Sequence, residues 1–591
     1  GGRHPHPERL GYTWLEFGRR AADGRTEFRT IGHRHATTGT PPFPNPVAWS
    51  RQTGDRPADR PPGRRPGREA VPMAADDRGD FTGRWEHEKT HLRKAFFRLD
   101  IAAFLICALV GLDTLGTVAA KGPQGLVWLL FLAVFFFLPY GLLAAELGSS
   151  FPFEGGPYVW TKLAFGRFAA GVNQVLYWLS NPVWLGGTLT IVAVTTWEKF
   201  FFALPGGWKY AGGAVFVWIG ALAVLLAFRV GKWLPTIGAV ARVVLIGAFL
   251  VSVVVYGAEH GVHLRGADLG PTYIGFVGLV PVLVFNYVGF ELPSTAAEEM
   301  TDPHRDVPVA IARSGVLAVV LYGAPILGTL LVLPPTAIGS LGGFVDACKA
   351  VFTVYGGHVA ADGSVTLTGA GSVMGKIAAL GLIIGVLTSG ITWSMGGDRA
   401  QAVACADGAG PAFLGRFSAR FGTPVRVNIL SSVVSTVVMA AAFLLTKGNA
   451  QKYFSAVLGL AISTTFISYL LAFPSLYVLR RRLPDVERPY RAPAAGLVAA
   501  LPTLFVVFTL VQLVWPGLGV GWFGTSGDPA GSLPAGFAHD RLGYLVSQLV
   551  PLALCVGLGV LFYVLGTPTR RARRSAAEPG PSSSGDDPAG R

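Results

Sequence analysis

The feature that most constrains this chain is a succession of apolar runs, each long enough to cross a lipid bilayer. A helix needs about 20 mainly apolar residues to span the hydrocarbon core. The runs begin near residue 99 and end near residue 566, and most are separated by short polar loops. We predict about twelve membrane-spanning helices. They cover approximately 99–121, 125–147, 158–196, 212–228, 233–257, 271–298, 309–333, 373–397, 425–446, 453–479, 496–516 and 544–566.

Composition favours an all-α integral membrane protein and argues against several other classes. Of 591 residues, 51% are hydrophobic and 14% are charged, which is too apolar for a soluble chain of this size. The net charge of +14 lies at the ends and between the runs, without the interleaved aromatic residues of a nucleic-acid surface. The four cysteines are scattered and the eleven histidines fall outside the predicted spans, so we expect no metal site and no cofactor. Because no P-loop, HExxH or GxSxG motif occurs in a suitable context, we expect no enzyme.

The N-terminal region differs from the rest of the chain. Residues 1–83 are rich in Arg, Pro and Gly, contain no Lys and show no helical or strand periodicity, which predicts a disordered extension. The first methionine is Met73, and Ala-Ala-Asp-Asp follows it as in an ordinary bacterial start. We therefore expect residues 1–72 to be upstream sequence that is absent from the native protein. Residues 84–98 would then form a cytoplasmic segment before the first helix.

The distribution of positive charge predicts the orientation of the chain. With a cytoplasmic N-terminus, the inside segments hold about 24 Lys and Arg residues against about 9 outside. The densest clusters, at 480–482 and 570–574, are interpreted as topology determinants. Both termini are therefore expected in the cytoplasm, with residues 567–591 as a cytoplasmic tail. The chain would be a multi-pass protein of the cytoplasmic membrane.

Two of the apolar runs share a short motif that ends in an acidic residue. The first reads Val-Gly-Leu-Asp at 110–113 and the second reads Val-Gly-Phe-Glu at 288–291, each close to a helix breaker. Paired interruptions at corresponding positions of two halves indicate a transporter's binding site. The two motifs lie five spans apart, which predicts five-helix repeats of inverted topology at 99–257 and 271–479. Helices 1 and 6 would be broken near the membrane centre, and helices 11 and 12 would be additions at 480–566.

Several further motifs follow one another in a specific order between residues 95 and 495. They are Ala145-Glu146-Leu147, 151–160, Ala164-Phe165-Gly166, Gly289-Phe290-Glu291, 298–308, Asp398-Arg399, Asp407-Gly408 with Pro411, and Thr423-Pro424. In these motifs the chain resembles the amino acid-polyamine-organocation (APC) permeases, in particular the glutamate/GABA antiporter branch. The resemblance implies a leucine-transporter-type inverted repeat, alternating access, and substrates with an amino and usually a carboxylate group.

The two broken helices supply the predicted substrate site. Freed N–H groups at the start of a second half-helix suit a carboxylate, and freed carbonyl groups suit an ammonium. We assign substrate binding to Gly111, Leu112, Asp113, Thr114 and Gly116 of helix 1, and to Asn286, Tyr287, Val288, Gly289, Phe290 and Glu291 of helix 6. Small residues also let membrane helices pack closely, but the paired pattern favours a binding site.

Two acids in the predicted spans carry the hypotheses about charge. A carboxylate in the bilayer centre is costly unless it is paired, so Asp113 indicates function. Asp113 departs from the small, Gly/Ser/Thr-rich turn that is commoner in the family. It binds a cationic group of the substrate, serves as a proton site, or is satisfied by local N–H groups or a basic neighbour. Glu291 matches the family's helix 6 acid, and it either takes part in proton coupling or joins helix 6 to a neighbouring helix.

Arg242 is the only basic residue that we place deep in a span, in helix 5. The resemblance implies that such a cation occupies the place where relatives bind sodium, and arginine keeps its proton in proteins. We therefore predict sodium independence, with Arg242, Asp113 and Glu291 as the coupling residues. The alternative for Arg242 is an ion pair that ties helices together. Thr388 and Ser389 are candidates for the wall of this cation site.

The gating prediction concerns two aromatic residues, Phe290 in the second break and Trp393 in helix 8. Together, these features predict a secondary active transporter of amino acids, working by proton symport or exchange. An amine or polyamine exchanger is the alternative, mildly favoured by Asp113, and a membrane-embedded sensor or a channel is disfavoured. The expected partners are a small-molecule substrate and the lipid bilayer, without nucleic acid. The oligomeric state stays open.

The predicted start at Met73 is directly testable. Mass spectrometry of the native protein should find N-terminal peptides that begin at or just after Met73, because residues 1–72 lack the composition of a folded or targeting segment. A peptide from residues 1–72 would contradict this expectation.

Overall fold

The structure is a computed structural model that describes residues 98–577, apart from 231–232, 264–268, 335–336, 340, 361–362, 446–448, 520–532, 535 and 539. The predicted extension at 1–83, its non-native part at 1–72 and nearly all of the segment at 84–98 lie outside the described residues, as does the end of the predicted tail. Those expectations therefore stay predictions.

The apolar sequence forms a protein that is mostly helical, because a chain in lipid must satisfy its backbone polar groups internally. The described α-helices are α1 (Arg98–Leu109), α2 (Leu115–Ala119), α3 (Gln124–Leu132), α4 (Leu138–Ser150), α5 (Pro157–Phe165), α6 (Arg167–Trp184), α7 (Thr190–Phe200), α8 (Trp208–Val230), α9 (Trp233–His260), α10 (Tyr273–Asn286), α11 (Pro303–Val332), α12 (Gly343–Val351), α13 (Gly369–Ala406), α14 (Val425–Leu445), α15 (Ala450–Ala472), α16 (Ser475–Arg482), α17 (Ala495–Val514), α18 (Arg541–Leu565) and α19 (Thr567–Ala577).

Short elements of other kinds complete the described fold. Single π-helical turns, Ala133–Phe137 and Leu185–Leu189, extend α3 and α6. The 3₁₀ helices are Leu292–Glu299 and Phe352–Tyr355. An antiparallel hairpin of β1 (Gly357–Val359) and β2 (Val365–Leu367) precedes α13, with Gly357 opposite Leu367.

Within the described residues, nine helices are long and apolar enough to cross a membrane. They are Gln124–Ser150, Trp208–Leu226, Trp233–His260, Pro303–Val332, Gly369–Ala406, Val425–Leu445, Ala450–Arg482, Ala495–Val514 and Arg541–Ala572. Three predicted spans are not among these nine helices. The spans 99–121 and 271–298 are interrupted, and the span 158–196 carries buried polar residues such as Asn173 and Gln174. The multi-helical membrane architecture is confirmed, and the number twelve stays a prediction.

The structure interrupts both acid-containing runs. The helix α1 ends at Leu109, residues 110–114 are not helical, and α2 begins at Leu115. The second interruption covers residues 287–291, between α10 and the 3₁₀ helix. There Gly289 has φ of +130°, a backbone conformation that glycine adopts without the steric cost of a Cβ atom. Each interruption therefore places an acid in irregular backbone.

The helices pack so that both interruptions are surrounded by protein. The helix α1 contacts α9, α11 and α13, while α6 contacts α13, α14, α15 and α18. The helix α13 is thus shared by the two groups. The main hydrophobic core surrounds the interruptions and includes Leu109, Val110, Val288 and Leu292. A second apolar cluster joins α5, α6, α13 and α18.

The π-helical turn after α6 lies at an unusually close helix contact. A Cβ atom on Gly186 would lie 2.1 Å from the carbonyl oxygen of Ser435, and one on Gly187 would lie 2.0 Å from Cγ1 of Val457. The hydroxyl of Tyr453 donates to the carbonyl oxygen of Gly186 at 2.8 Å. Only glycine leaves room for this approach, which positions the end of α6 beside the first interruption.

We predict that Gly186→Ala destabilises the protein, because the added methyl group meets backbone atoms of α14. Overpacking of this kind costs about 1–3 kcal/mol. The matched control is Gly247→Ala in α9, where no neighbouring atom lies within 4 Å of the added Cβ. Thermal unfolding of the purified protein in detergent, followed by size-exclusion chromatography, should show a lower melting temperature for Gly186→Ala alone. Equal melting temperatures for Gly186→Ala and the unaltered protein would contradict the packing argument.

Candidate substrate site

A small cavity lies between the two interruptions. Its lining residues are Ala108, Leu109, Gly111, Asp113, Ser180, Asn181, Trp184, Phe285, Asn286, Val288, Tyr322, Trp393 and Thr465. A mainly apolar wall with a few polar groups is typical of small-molecule sites. Of the residues singled out from the sequence, the structure brings Gly111, Asp113, Asn286, Val288 and Trp393 to this cavity.

Asp113 presents one carboxylate oxygen without a protein partner. The residue is 2% exposed. Its Oδ2 atom accepts hydrogen bonds from Nε1 of Trp184 at 2.9 Å and from the hydroxyl of Thr188 at 3.1 Å. Its buried Oδ1 atom accepts none from the described residues. A buried acceptor without a donor is costly, so this atom is suited to a donor supplied by a ligand.

Aromatic side chains form much of the cavity wall beside Asp113. The ring of Trp184 lies edge-to-face with Trp393 at 6.1 Å and with Phe285 at 5.8 Å between ring centroids. Tyr322 also lines the cavity, and its hydroxyl accepts a hydrogen bond from the backbone N–H of Gly111 at 2.8 Å. Aromatic faces attract cations. The carboxylate and the aromatic walls together suit a positively charged group.

Asn286 joins the two interruptions and leaves a donor in the site. Its Oδ1 atom accepts a hydrogen bond from the hydroxyl of Thr114 at 2.7 Å. Its buried Nδ2 atom has no acceptor among the described residues. Asp113 and Asn286 therefore offer the cavity an acceptor and a donor that bond to no described residue.

The first interruption frees carbonyl groups at the end of α1, and side chains of two other helices bond to them. Such groups have no intrahelical donor. The hydroxyl of Ser389 donates to the carbonyl oxygen of Cys107 at 3.0 Å, and Nε1 of Trp393 donates to that of Ala108 at 2.9 Å. Nε of Arg242 donates to the carbonyl oxygen of Val110 at 2.9 Å. These bonds hold the interruption against α9 and α13.

Arg242 is a fully buried cation whose hydrogen-bond partners in the described chain are neutral. Besides Val110, the guanidinium bonds to these groups: the carbonyl oxygens of Gly238 (2.9 Å) and Gly385 (2.6 Å), the hydroxyls of Thr388 (3.0 Å) and Ser389, and the sulfur of Cys107 (3.3 Å). The end of α1 carries the negative end of the helix dipole, which compensates a cation. The hydrogen bonds of Arg242 thus join the end of α1 to α9 and α13 at the predicted cation site. Thr388 and Ser389, suggested for the wall of this site, do contact the cation.

Glu291 lies outside the cavity lining and is bonded by three tyrosines. Its Oε1 atom accepts from the hydroxyls of Tyr177 at 2.9 Å and Tyr469 at 2.8 Å, and its Oε2 atom accepts from Tyr140. The hydroxyl of Tyr140 also accepts from the backbone N–H of Gly289 at 3.0 Å. The carboxyl thus connects the second interruption to α4, α6 and α15.

The remaining residues singled out from the sequence are Leu112, Thr114, Gly116, Tyr287, Gly289 and Phe290, and they do not line the cavity. The ring of Phe290 stacks on Phe137 at 4.5 Å and faces a separate apolar groove between α4 and α11. Tyr287 also stacks on Phe137, and its hydroxyl donates to the carbonyl oxygen of Leu129 at 3.1 Å. Of the two gating candidates, only Trp393 faces the cavity.

Several lining residues were missed from the sequence, and most of them lie on α6, α11 and α15, outside the two predicted breaks. They are Ser180, Asn181, Trp184, Phe285, Tyr322 and Thr465, together with Ala108 and Leu109. The adjacent polar pair Ser180-Asn181 inside an apolar run was the available signal. Nδ2 of Asn181 donates to the carbonyl oxygen of Trp393 at 3.2 Å, which ties α6 to α13 at the cavity. The tyrosines around Glu291 gave no such signal.

Comparison with known proteins agrees with this architecture. The probable agmatine/putrescine antiporter AguD of Lactococcus lactis is 27% identical over 420 residues, which cover 70% of this chain and 86% of the relative. The branched-chain amino acid permease BcaP of Bacillus subtilis is 24% identical over 454 residues, covering 72% and 89%. Residues 96–523 match the amino acid permease family. The protein therefore belongs to this family, within the APC superfamily, and is a multi-pass membrane transporter and not an enzyme.

Proposed function

We propose that this protein is a secondary transporter of amino acids or related amines, which binds a protonated nitrogen of its substrate at Asp113. The observation that carries the proposal is the buried Oδ1 atom of Asp113, which lines the cavity without a donor from the described residues. An ammonium group supplies such a donor together with a compensating charge. The aromatic walls beside Asp113 stabilise the same cation.

Amino acids remain the leading substrate class, and an amine or polyamine exchanger is the second candidate. The cavity lining in the described residues contains no Lys, Arg or His that would pair with a substrate carboxylate. A carboxylate would depend on Nδ2 of Asn286 and on backbone N–H groups of the interruptions. An amine without a carboxylate makes no such demand, and one relative is named as a probable agmatine/putrescine antiporter. These points support the second candidate.

The proposed architecture is a 5+5 inverted repeat of twelve spans. In it, α1 and α2 are the halves of helix 1, and α10 and the following 3₁₀ helix are the halves of helix 6. Two interruptions, each with an acid and each in irregular backbone, support this assignment. Of the predicted substrate residues in 111–116 and 286–291, Gly111, Asp113, Asn286 and Val288 line the cavity and would contact the substrate there. The protein would lie in the cytoplasmic membrane with both termini in the cytoplasm.

The proposed coupling uses protons or exchange, without sodium. Arg242 is a permanent cation bonded to the freed carbonyl groups of α1, so a sodium ion at this place would meet a fixed like charge. Glu291 is the proposed proton site. A change in its protonation would alter its hydrogen bonds with tyrosines on α4, α6 and α15, and so connect the second interruption to three helices. Trp393 and Phe290 are the proposed gating residues.

The substrate proposal predicts that Asp113→Asn weakens binding of cationic amines. Purified protein in liposomes would be tested with labelled amino acids and amines, with and without an exchange substrate inside. The unaltered protein should take up substrates that carry a protonated nitrogen. For cationic amines, Asp113→Asn should raise KM at least about tenfold, because a hydrogen bond to a charged group contributes about 1.5–3 kcal/mol.

The matched control for this experiment is Asp346→Asn. Asp346 pairs with Lys199 near the beginning of α12 and does not line the cavity. Its replacement should leave KM unchanged. If Asp113→Asn kept the substrate range and KM of the unaltered protein, a role of Asp113 in binding would be wrong.

The coupling proposal predicts that uptake is unchanged when sodium is replaced by choline, because Arg242 already fills the cation site. A pH gradient should stimulate uptake, and Glu291→Gln should remove that response, since the amide has a similar shape but cannot release a proton. Initial rates in liposomes measure both effects. Strict sodium dependence would refute the role of Arg242, and an unaltered pH response in Glu291→Gln would refute that of Glu291.

A further inference from the structure

A further buried carboxyl lies where α6, α13 and α14 meet. Asp398 is 1% exposed and does not line the substrate cavity. Its Oδ1 atom accepts hydrogen bonds from Nε1 of Trp178 at 3.0 Å and from the hydroxyl of Ser431 at 2.5 Å. Its buried Oδ2 atom bonds to no described residue. Asp398 therefore has a fully bonded side and an unbonded side.

Three amide side chains lie one helical turn away, each on a different helix. They are Gln174 on α6, four residues before Trp178; Gln401 on α13, three residues after Asp398; and Asn428 on α14, three residues before Ser431. Residues three or four apart share a helix face. The contacts between the helices show that α13 runs antiparallel to α6 and α14. All three amides are thus displaced toward the same end of the bundle.

These amides are also buried and incompletely bonded. Each is 1–2% exposed. Nε2 of Gln174, Oε1 of Gln401, and both Oδ1 and Nδ2 of Asn428 have no hydrogen-bond partner in the described chain. Buried polar atoms are normally hydrogen-bonded. Together with Oδ2 of Asp398, these four amide atoms make five buried polar atoms without a partner in the described chain, which requires an explanation. Asp398, Gln174, Gln401 and Asn428 are called the polar chamber below.

Apolar side chains pack beside the polar chamber, and no cation of the described chain pairs with Asp398. Val175, Ala402 and Val427 belong to the buried cluster around it. The neighbouring cation, Arg399, donates from Nη1 to Glu154 at 2.7 Å and to Glu299 at 2.5 Å. A carboxylate that is buried without a paired cation costs several kcal/mol. A bound proton removes this cost.

Other ionisable groups on the surrounding elements are bonded elsewhere. Tyr177 on α6 and Tyr469 on α15 bond to Glu291. Tyr158 and Lys162 on α5, and Arg167 on α6, pair with Asp407, directly after α13. On α13, the sulfur of Cys405 accepts a hydrogen bond from Gln401. Near the end of α18, the side chains of Arg570 and Tyr563 contact each other. No carboxylate or cation among these bonds to Asp398.

The chemistry of the polar chamber suits a group that exists in two protonation states. Gln174 and Asn428 carry unbonded N–H groups of the kind that an ionised carboxylate needs, although neither bonds to Oδ2 of Asp398 in the structure. The protonated carboxyl needs an acceptor for its O–H, and Gln401 and Asn428 supply carbonyl oxygens. A permanent anion would need only donors, and a bare metal cation would leave the amide N–H groups unbonded. The mixture of donors and acceptors therefore favours a proton over either.

We propose that Asp398 is a proton-binding site, separate from the substrate cavity, that takes up and releases a proton through the polar chamber. A proton from water adds to Oδ2, whose new O–H bond donates to an amide oxygen, and release returns the proton to water. Trp178 stands three residues before Asn181 on α6, and Asp398 stands five residues after Trp393 on α13, so the site shares two helices with the cavity. A role in transport rests on the function proposed above, whereas proton binding itself does not.

The first test is a difference titration of purified protein in detergent. Between about pH 5 and pH 9, Asp398→Asn should bind one proton fewer than the unaltered protein, because an amide does not titrate in this range. Asp398→Glu should restore the missing proton, which makes it the matched control. Identical proton binding by the unaltered protein and Asp398→Asn would overturn the proposal.

The second test measures uptake against pH in liposomes. The pH profile of Asp398→Asn should be flatter than that of the unaltered protein, while Asp398→Glu should keep a pH-dependent profile. A lower rate with an unaltered profile would indicate a structural role and overturn a role in transport. If no substrate of the panel were transported by the unaltered protein, the proposed function would fail. The titration would still decide whether Asp398 binds a proton.

Discussion

The arrangement of this protein depends on satisfying the backbone groups that the first helix interruption sets free. A membrane offers no water to the carbonyl groups of 107–110, so protein groups must bond to them. Arg242, Ser389 and Trp393 do so from α9 and α13. The same bonds hold Asp113 and the cavity wall in place, so the positions of three helices and of the candidate site follow from one requirement.

Electrostatics then distinguishes the buried acids. Asp113 has one bonded and one unbonded oxygen beside aromatic rings, which suits a cationic ligand. Glu291 is surrounded by phenol groups of three helices, and Asp398 by amides that both donate and accept. The buried guanidinium of Arg242 bonds to neutral groups of the described chain. The same chemical group, a carboxyl, therefore supports a different role in each of these three surroundings.

Local sequence features predicted the fold better than the site. Apolar runs give helices wherever their length and composition suffice, and the interruptions fall at 110–114 and 287–291, where glycine and an acid stand together. The lining residues of α6, α11 and α15 were not predictable, because a helix shows its polar positions in sequence but not the neighbour that they face. Phe290 illustrates this limit, since it stands in the interruption yet faces a separate groove.

The sequence by itself determined the membrane class, the order of the helices, the family resemblance and the two interrupted runs, because each depends on residues that are close in the chain. Only the tertiary structure decided which oxygen of Asp113 stays unbonded, that Arg242 bonds to the end of α1, and that three tyrosines converge on Glu291. These contacts join residues that are between 71 and 178 positions apart in the chain. The geometry of these contacts depends on how the helices pack, and the pattern of residues in a single sequence does not indicate that packing.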